Sequence, residues 1–152
     1  MKIPSKLILG LFFSILFASC DSGSLSDSDP MKPVDEVEVV GPVSVIKSGT
    51  LTPQSSTNTK GMIQIVSNEE GKFFVRLTDD FTTKFSTGTV TVYLSTSENL
   101  RLSSAGSFQL ISIVGKSGEH FFPLASSPEA KFTHGIIWCG AAAIPFGFAP
   151  LD

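Results

Sequence analysis

The chain has 152 residues, and its 11 basic and 14 acidic side chains give a formal net charge of −3. Proteins that hold nucleic acid by its phosphates need a basic patch, which this composition does not offer, so nucleic acid is excluded as the expected partner. Two cysteines, Cys20 and Cys139, stand far apart in the sequence. Apart from its first residues, the chain has the length of one domain with one core.

The N-terminus has the layout of a secretory signal. Lys2 and Lys6 make its start basic, residues 7–17 are apolar except for Ser14, and small residues precede Cys20. An apolar helix of this length rises only about 16 Å. Because the hydrocarbon core of a membrane is about 30 Å thick, the segment is too short to span it.

Residues 16–20, Leu-Phe-Ala-Ser-Cys, resemble a bacterial lipobox, in which the cysteine becomes the first residue of the mature protein and is acylated with chains such as palmitate. We therefore expect a lipoprotein signal peptide at 1–19 and lipidation of Cys20. The lipid would anchor the protein to a membrane of the bacterial cell envelope, outside the cytoplasm, because several acyl chains bind a bilayer firmly. An ordinary cleaved signal with an incidental cysteine is the alternative.

Residues 20–40 are predicted to form a flexible linker after the acylated cysteine. Residues 21–30 are small, polar and acidic, with too few apolar groups to fold. A flexible chain of about twenty residues has a mean reach on the order of 25 Å. The linker can therefore hold the domain that follows, residues 41–152, clear of the lipid headgroups.

Residues 41–152 show the pattern of an all-β domain. Short runs of alternating or apolar residues recur between turn clusters such as 67–71, 86–88 and 115–118, and no segment keeps a helical repeat. This predicts a single antiparallel β-sandwich or barrel-like domain. Pro145 lacks an amide donor, so its strand should be an edge strand or carry a bulge. The predicted strands are 43–51, 62–66, 73–77, 90–94, 108–113, 120–124, 135–139 and 143–148.

Cys139 ends one of these predicted strands and is the cysteine expected to remain a free thiol. Alternation along the strand places its side chains on two faces. His134, Ile136 and Trp138 share one face, and Gly135, Ile137 and Cys139 share the other. A cysteine–histidine pair within this strand would need a bulge. The apolar residues on both faces predict that Cys139 is buried and that Trp138 points the opposite way.

The end of the chain resembles the DM13 domain family. The family's closing signature is a hydrophobic strand ending in Ile-Trp-Cys, followed by Phe-Gly-x-Ala-x-Leu. Here Ile137, Trp138 and Cys139 match the first part, and residues 146–151 match the second. This resemblance implies an electron-transfer module at a cell surface, with Cys139 acting as a bare thiol or as a ligand to a prosthetic group such as haem.

Weaker matches extend the resemblance back to about Gly49. Residues 77–81 are similar to the family's Leu-x-Asp-Phe element, 92–95 to its Val-Tyr-Leu-Ser strand, and 118–123 to its glycine-to-proline hairpin. Residues 88–91, Gly-Thr-Val-Thr, depart from the Gly-Pro-Asp-Leu usual in the family. A ligand contact specific to that corner is therefore not expected here.

An enzymatic function is not expected, because the chain lacks the spacing of a catalytic or metal site. It has two histidines, His120 and His134, and no His-x-His, Cys-x-x-Cys or glycine-rich phosphate loop. We predict no catalytic residues and no metal ligands, and we name no cofactor beyond the haem that the resemblance raises.

Two functions stay open at this point. In one, Cys139 serves in redox chemistry, since an unpaired thiol is unusual in an exported protein. In the other, Cys139 is a small core residue, as free cysteines often are, of a module that binds or adheres to an unidentified envelope or surface protein.

Overall fold

The computed structural model describes residues 31–152. The predicted signal peptide, the lipidated Cys20 and the first part of the predicted linker lie outside the described residues. Within residues 31–152, no helix has the length and apolar character needed to cross a membrane.

The described part of the chain is all-β, as predicted. Its strands are β1 (Val43–Thr50), β2 (Thr52–Pro53), β3 (Met62–Asn68), β4 (Phe73–Leu77), β5 (Val90–Ser95), β6 (Phe108–Val114), β7 (His120–Leu124), β8 (His134–Cys139) and β9 (Ile144–Pro150). A single turn of 3₁₀ helix, Phe85–Thr87, stands between β4 and β5. The eight predicted strands are confirmed to within two residues at each end, and β2 was not predicted.

The strands form two antiparallel sheets that do not close into a barrel, so the sandwich is the observed alternative. One sheet has the order β1-β3-β4-β7 and the other the order β2-β9-β8-β5-β6. The chain passes from the first sheet to the second between β1 and β2. The amide groups of Ser48 in β1 and Asp152 after β9 each donate to the other's carbonyl, at 3.0 and 3.2 Å, which joins the sheets along this side.

The main core lies between the two sheets. Apolar side chains supply it from both, with aromatic rings at Phe81, Phe122, Phe132 and Phe146. Two smaller clusters lie on the outer faces. Val66, Phe74 and Phe121 form one on the four-stranded sheet, and Tyr93, Phe108, Leu110 and Ile136 form the other on the five-stranded sheet. Because both sheets bury residues on both faces, apolar runs in their central strands are nearly continuous.

Pro145 predicted either an edge strand or a bulge, and β9 has the bulge. Ile137 pairs with Gly147 and Trp138 pairs with Pro145, so Phe146 is the extra residue of β9. The carbonyl of Phe146 accepts hydrogen bonds from the Gln54 amide and the Thr57 hydroxyl instead, at 2.8 and 2.7 Å. The bulge thus turns the Phe146 side chain into the core without disturbing the alternation of β8.

Residues 34–39, which we call the strap, differ from the flexible linker that was predicted there. The Val34 amide donates to the Ile111 carbonyl of β6 at 2.8 Å, and the Val37 amide donates to the Phe121 carbonyl of β7 at 2.9 Å. Val34 packs against the main core, and Val39 packs against the outer cluster of the four-stranded sheet. The strap therefore covers the gap between the edge strands β6 and β7. Its valines pack against the domain, although its acidic residues had indicated a flexible linker.

Candidate functional site around Cys139

Cys139 lies at the end of β8, within the main core. It pairs with Val90 of β5 on one side and with Ile144 of β9 on the other, and its side chain has 0% exposure. Trp138 packs instead with the outer cluster of the five-stranded sheet. The predicted burial of Cys139 and the opposite direction of Trp138 are both confirmed.

Two segments surround the sulfur of Cys139. The Ala142 amide donates to Sγ at 3.4 Å, and the carbonyl and hydroxyl oxygens of Thr87 lie 3.9 Å from Sγ, within reach of a weak S–H donor. Thr87 ends the 3₁₀ turn, and Ala142 belongs to the turn between β8 and β9. Both of these polar partners of Sγ, among residues 31–152, are uncharged.

Residues 88–91, the corner that departs from the DM13 pattern, are packed against this site. Gly88 has φ +116°, and a Cβ built there would lie 2.9 Å from the Cβ of Ala141. The Gly140 amide donates to the carbonyl of Thr89 at 2.8 Å. The corner and the turn after β8 therefore cover the sulfur together, and glycine at position 88 lets them approach.

Neither histidine forms a pair with Cys139. His134 lies on the opposite face of β8, where its Nδ1 is 2.9 Å from the Thr133 hydroxyl and its ring contacts Phe148. His120 belongs to β7 in the other sheet, with its ring between Phe81 and Phe122. The predicted separation of His134 and Cys139 is confirmed, and neither histidine lies where it could act as a base toward the thiol.

The surroundings of Cys139 do not fit a haem. An iron ligand needs its sulfur to face an apolar space as wide as the porphyrin. Here the sulfur is fully buried and its polar neighbours are the backbone and hydroxyl groups of Thr87 and Ala142. Among residues 31–152, no group of three or more histidine, cysteine, aspartate or glutamate side chains could hold a metal ion.

A buried threonine cluster, which the sequence did not point to, lies beside the β9 bulge. The hydroxyls of Thr57 and Thr59 are 2.7 Å apart, and that of Thr59 is 2.6 Å from the hydroxyl of Thr83. The loop that carries Thr57 holds three non-glycine residues at positive φ: Ser55, Ser56 and Asn58. The cluster bonds this strained loop to the bulge, so we assign it a structural role.

The buried side chain of His120 is the second feature that the sequence did not locate. Its Nε2 is 3.0 Å from the carbonyl oxygen of Lys116, and its Nδ1 is 3.0 Å from Oε1 of Glu36 in the strap, without the alignment of a hydrogen bond. The strap residues Glu36 and Glu38 line a groove of about 460 Å³ together with Glu119 and Phe121. No sequence spacing links Glu36 to His120, because only the course of the strap brings them together.

Comparisons of the chain with known protein families, with curated proteins and with solved structures find no match. The likeness to the DM13 family therefore rests on the residues quoted above.

Proposed function

We propose that the chain is a lipid-anchored, extracytoplasmic module of the bacterial cell envelope that binds another envelope component through its surface, with Cys139 as a core residue. The observation that supports this is the state of the Cys139 sulfur. It is fully buried, accepts a hydrogen bond from Ala142 and has no charged neighbour among its polar partners. Such a cysteine behaves as a small apolar side chain.

Anchoring rests on the lipobox-like residues 16–20. Replacing Cys20 by serine removes the atom that would be acylated, so the Cys20→Ser protein should stay unprocessed or become soluble. Carbonate washing of membranes, followed by detection of the protein in pellet and supernatant, measures this. The matched control is Ser19→Ala, which keeps the cysteine and a small residue before it. Complete retention of a processed Cys20→Ser protein in washed membranes would disprove the anchor.

Two exposed loops are our candidates for the binding surface. In residues 68–72, Asn68 Oδ1 accepts hydrogen bonds from the amides of Glu70 and Lys72, which fixes a rigid turn. In residues 116–119, Ser117 is hydrogen-bonded to Thr82. Both loops therefore present side chains from an ordered backbone, which lowers the entropic cost of binding.

The test is capture of the native partner by full-length protein crosslinked in its own membranes. Association should survive Cys139→Ala and should be lost in Glu69→Lys or in Lys116→Glu, because these two changes reverse a charge on the proposed binding surface. Both side chains are exposed, so the changes leave the hydrogen bonds of the turns in place. Glu98→Lys, in the exposed loop after β5, is the matched control for a change of charge. Loss of association in Cys139→Ala, with the fold intact, would count against the proposal.

Redox chemistry at Cys139 is the second candidate function. The exposed turn that covers the sulfur favours this function. The sulfur lies beneath the turn that carries Gly140, Ala141 and Ala142, which are exposed, so a small opening of this turn would uncover the thiol. This function requires measurable and reversible oxidation of the Cys139 thiol by a physiological acceptor. A thiol that no such acceptor oxidises decides for the binding module.

A further inference from the structure

The strap fixes the place where the chain leaves the domain toward its N-terminus. Amides of the strap bond to β6 and β7, which end the two sheets on one side of the sandwich. Residues 32–33, just before the strap, line a groove with Gln109 of β6 and Leu124 of β7. The chain therefore follows this side, which we call the strap side, from Lys32 onward. The opposite side, where β1 and β2 end the two sheets, we call the far side.

The length of chain between Cys20 and Lys32 limits how the domain can turn relative to the proposed lipid anchor. Lys32 follows Cys20 by twelve positions. Twelve residues, whatever their conformation, span at most about 43 Å. A domain of this size has a radius of gyration of about 14 Å, so its diameter is about 35 Å and half its circumference is about 55 Å. The connecting segment is therefore too short to pass round the domain from the strap side to the far side.

Docking of the strap is what makes this segment short. If the connection ran free to residue 40, as its composition indicated, it would have twenty positions and could span about 66 to 72 Å. That length exceeds the half circumference of about 55 Å, so either side of the domain could then meet the membrane. The hydrogen bonds of the strap, 2.8 Å at Val34 and 2.9 Å at Val37, remove this freedom.

The distribution of charge agrees with the same orientation. Each of two adjoining grooves on the strap side is lined by one base and one acid, Lys32 with Asp35 in the first and Lys131 with Glu129 in the second. The groove on the outer face of the four-stranded sheet is lined instead by three glutamates and no basic residue. The phosphates of lipid headgroups repel carboxylates, so the strap side approaches them at a lower electrostatic cost than that face.

We propose that the strap side of the domain faces the bilayer that holds the lipid anchor, and that the far side is turned away from it. This rests on the anchor of the proposed function and adds the surface that meets the lipid headgroups. It also separates the two loops proposed for binding. Residues 116–119 join β6 to β7 on the strap side, so the bilayer limits access to them. Residues 68–72 join β3 to β4 and stay open to a partner.

Energy transfer from a dye on the domain to acceptor-labelled lipid headgroups tests this orientation. The full-length lipidated protein is reconstituted in phospholipid vesicles. The dye is attached through Ala125→Cys, at a residue that lines both grooves of the strap side, or through Ser44→Cys in β1 on the far side. Both residues are exposed. Because Cys20 is acylated and Cys139 is buried, the introduced cysteine takes the dye.

The two dye positions differ mainly in their side of the sandwich. Ser44 and Leu124, the neighbour of Ala125, lie at opposite ends of one row across the four-stranded sheet. Because three strand spacings separate these ends, the distance to the membrane surface should be shorter at residue 125 by on the order of 14 Å. Equal distances, or a shorter distance at residue 44, would overturn the proposal. Protein that does not float with the vesicles would overturn the anchor itself and this inference with it.

Release of the strap is the second arm of the experiment. Val34→Pro combined with Val37→Pro removes both amide donors, so the connection becomes long enough for either orientation and the difference in distance should disappear. Val40→Pro is the matched control, because Val40 is 87% exposed and follows the two bonded valines, and it should keep the difference. Circular dichroism checks that the sheets persist. A difference that remains in the double variant would overturn the role of the strap.

Discussion

The amide of Ala142 donates a hydrogen bond to the sulfur of Cys139 at 3.4 Å, so the turn after β8 folds back over the residue that ends the strand. This contact makes the thiol part of the local backbone structure. It also gives the buried sulfur at the end of β8 a hydrogen-bond donor from the turn that follows the strand.

Replacement of Cys139 by serine should lower the free energy of unfolding by about 1 to 3 kcal/mol. The shorter C–O bond draws the oxygen away from the Ala142 amide and from Thr87, so the buried hydroxyl is left without a good partner. Denaturant unfolding of the full-length protein, followed by circular dichroism, measures the change. Cys139→Ala removes the polar atom altogether and should cost less than Cys139→Ser. The reverse order would show that the site accommodates a hydroxyl.

The thiol of Cys139 should resist a bulky maleimide in the native protein and react after denaturation. Its side chain has no exposed surface, and local opening of the covering turn limits the rate. Mass spectrometry of the peptide that contains Cys139 follows the modification without interference from Cys20. A Ser103→Cys variant, changed in an exposed loop, is the control and should label quickly. Equal rates at Cys139 in native and denatured protein would contradict its burial.

Lys72 holds the pKa of Glu70 below its usual value of 4.5, first by a hydrogen bond and then by its charge. Because this pKa is depressed, the pair stabilises the fold above the unfolded pKa, and that contribution is lost as the pH falls through the folded pKa. Lys72→Met should return the Glu70 pKa toward 4.5, as measured by carboxyl chemical shifts. Glu69→Gln should leave it low. Both residues are exposed, so the free energy of unfolding should change little.

The strands could be predicted from sequence because short alternating or apolar runs are separated by turn clusters such as 67–71, 86–88 and 115–118. The alternation in residues 134–139 located Cys139 and Trp138 on opposite faces, and both faces are observed. Pro145 indicated an edge strand or a bulge, because proline lacks an amide hydrogen, and the bulge is the alternative observed. β2 was missed, since two residues show no period and its pairing with β9 depends on tertiary contact.

The strap and its contact with His120 could not be predicted for a different reason. Glu36 and Glu38 alternate with valines, but the neighbouring residues 21–30 are acidic and polar, and that composition indicated a linker throughout. Single hydrogen bonds at Val34 and Val37 fix the strap, and these depend on where the edges of two separate sheets lie. The covering of Cys139 by Thr87 likewise joins residues 52 positions apart.

Gly135 of β8 lies directly against Ile63 of β3 in the facing sheet. A Cβ built on Gly135 would lie 2.5 Å from Cγ2 and 2.6 Å from Cδ1 of Ile63, which is fully buried in β3. Gly135→Ala should therefore lower the free energy of unfolding by about 1 to 3 kcal/mol through overpacking. Gly115→Ala is the control, because a Cβ there meets nothing within 4 Å, and its effect should be small.

A double-mutant cycle tests whether Ile63 is the cause of the destabilisation. Ile63→Ala alone removes a buried side chain and should cost about 2 to 5 kcal/mol. In the double variant the new methyl group of residue 135 fills part of the space left by Ile63, so the combined loss should be smaller than the sum of the two single losses. Thermal or denaturant unfolding of the four proteins measures this coupling. Additive losses would show that the destabilisation in Gly135→Ala does not come from contact with the Ile63 side chain.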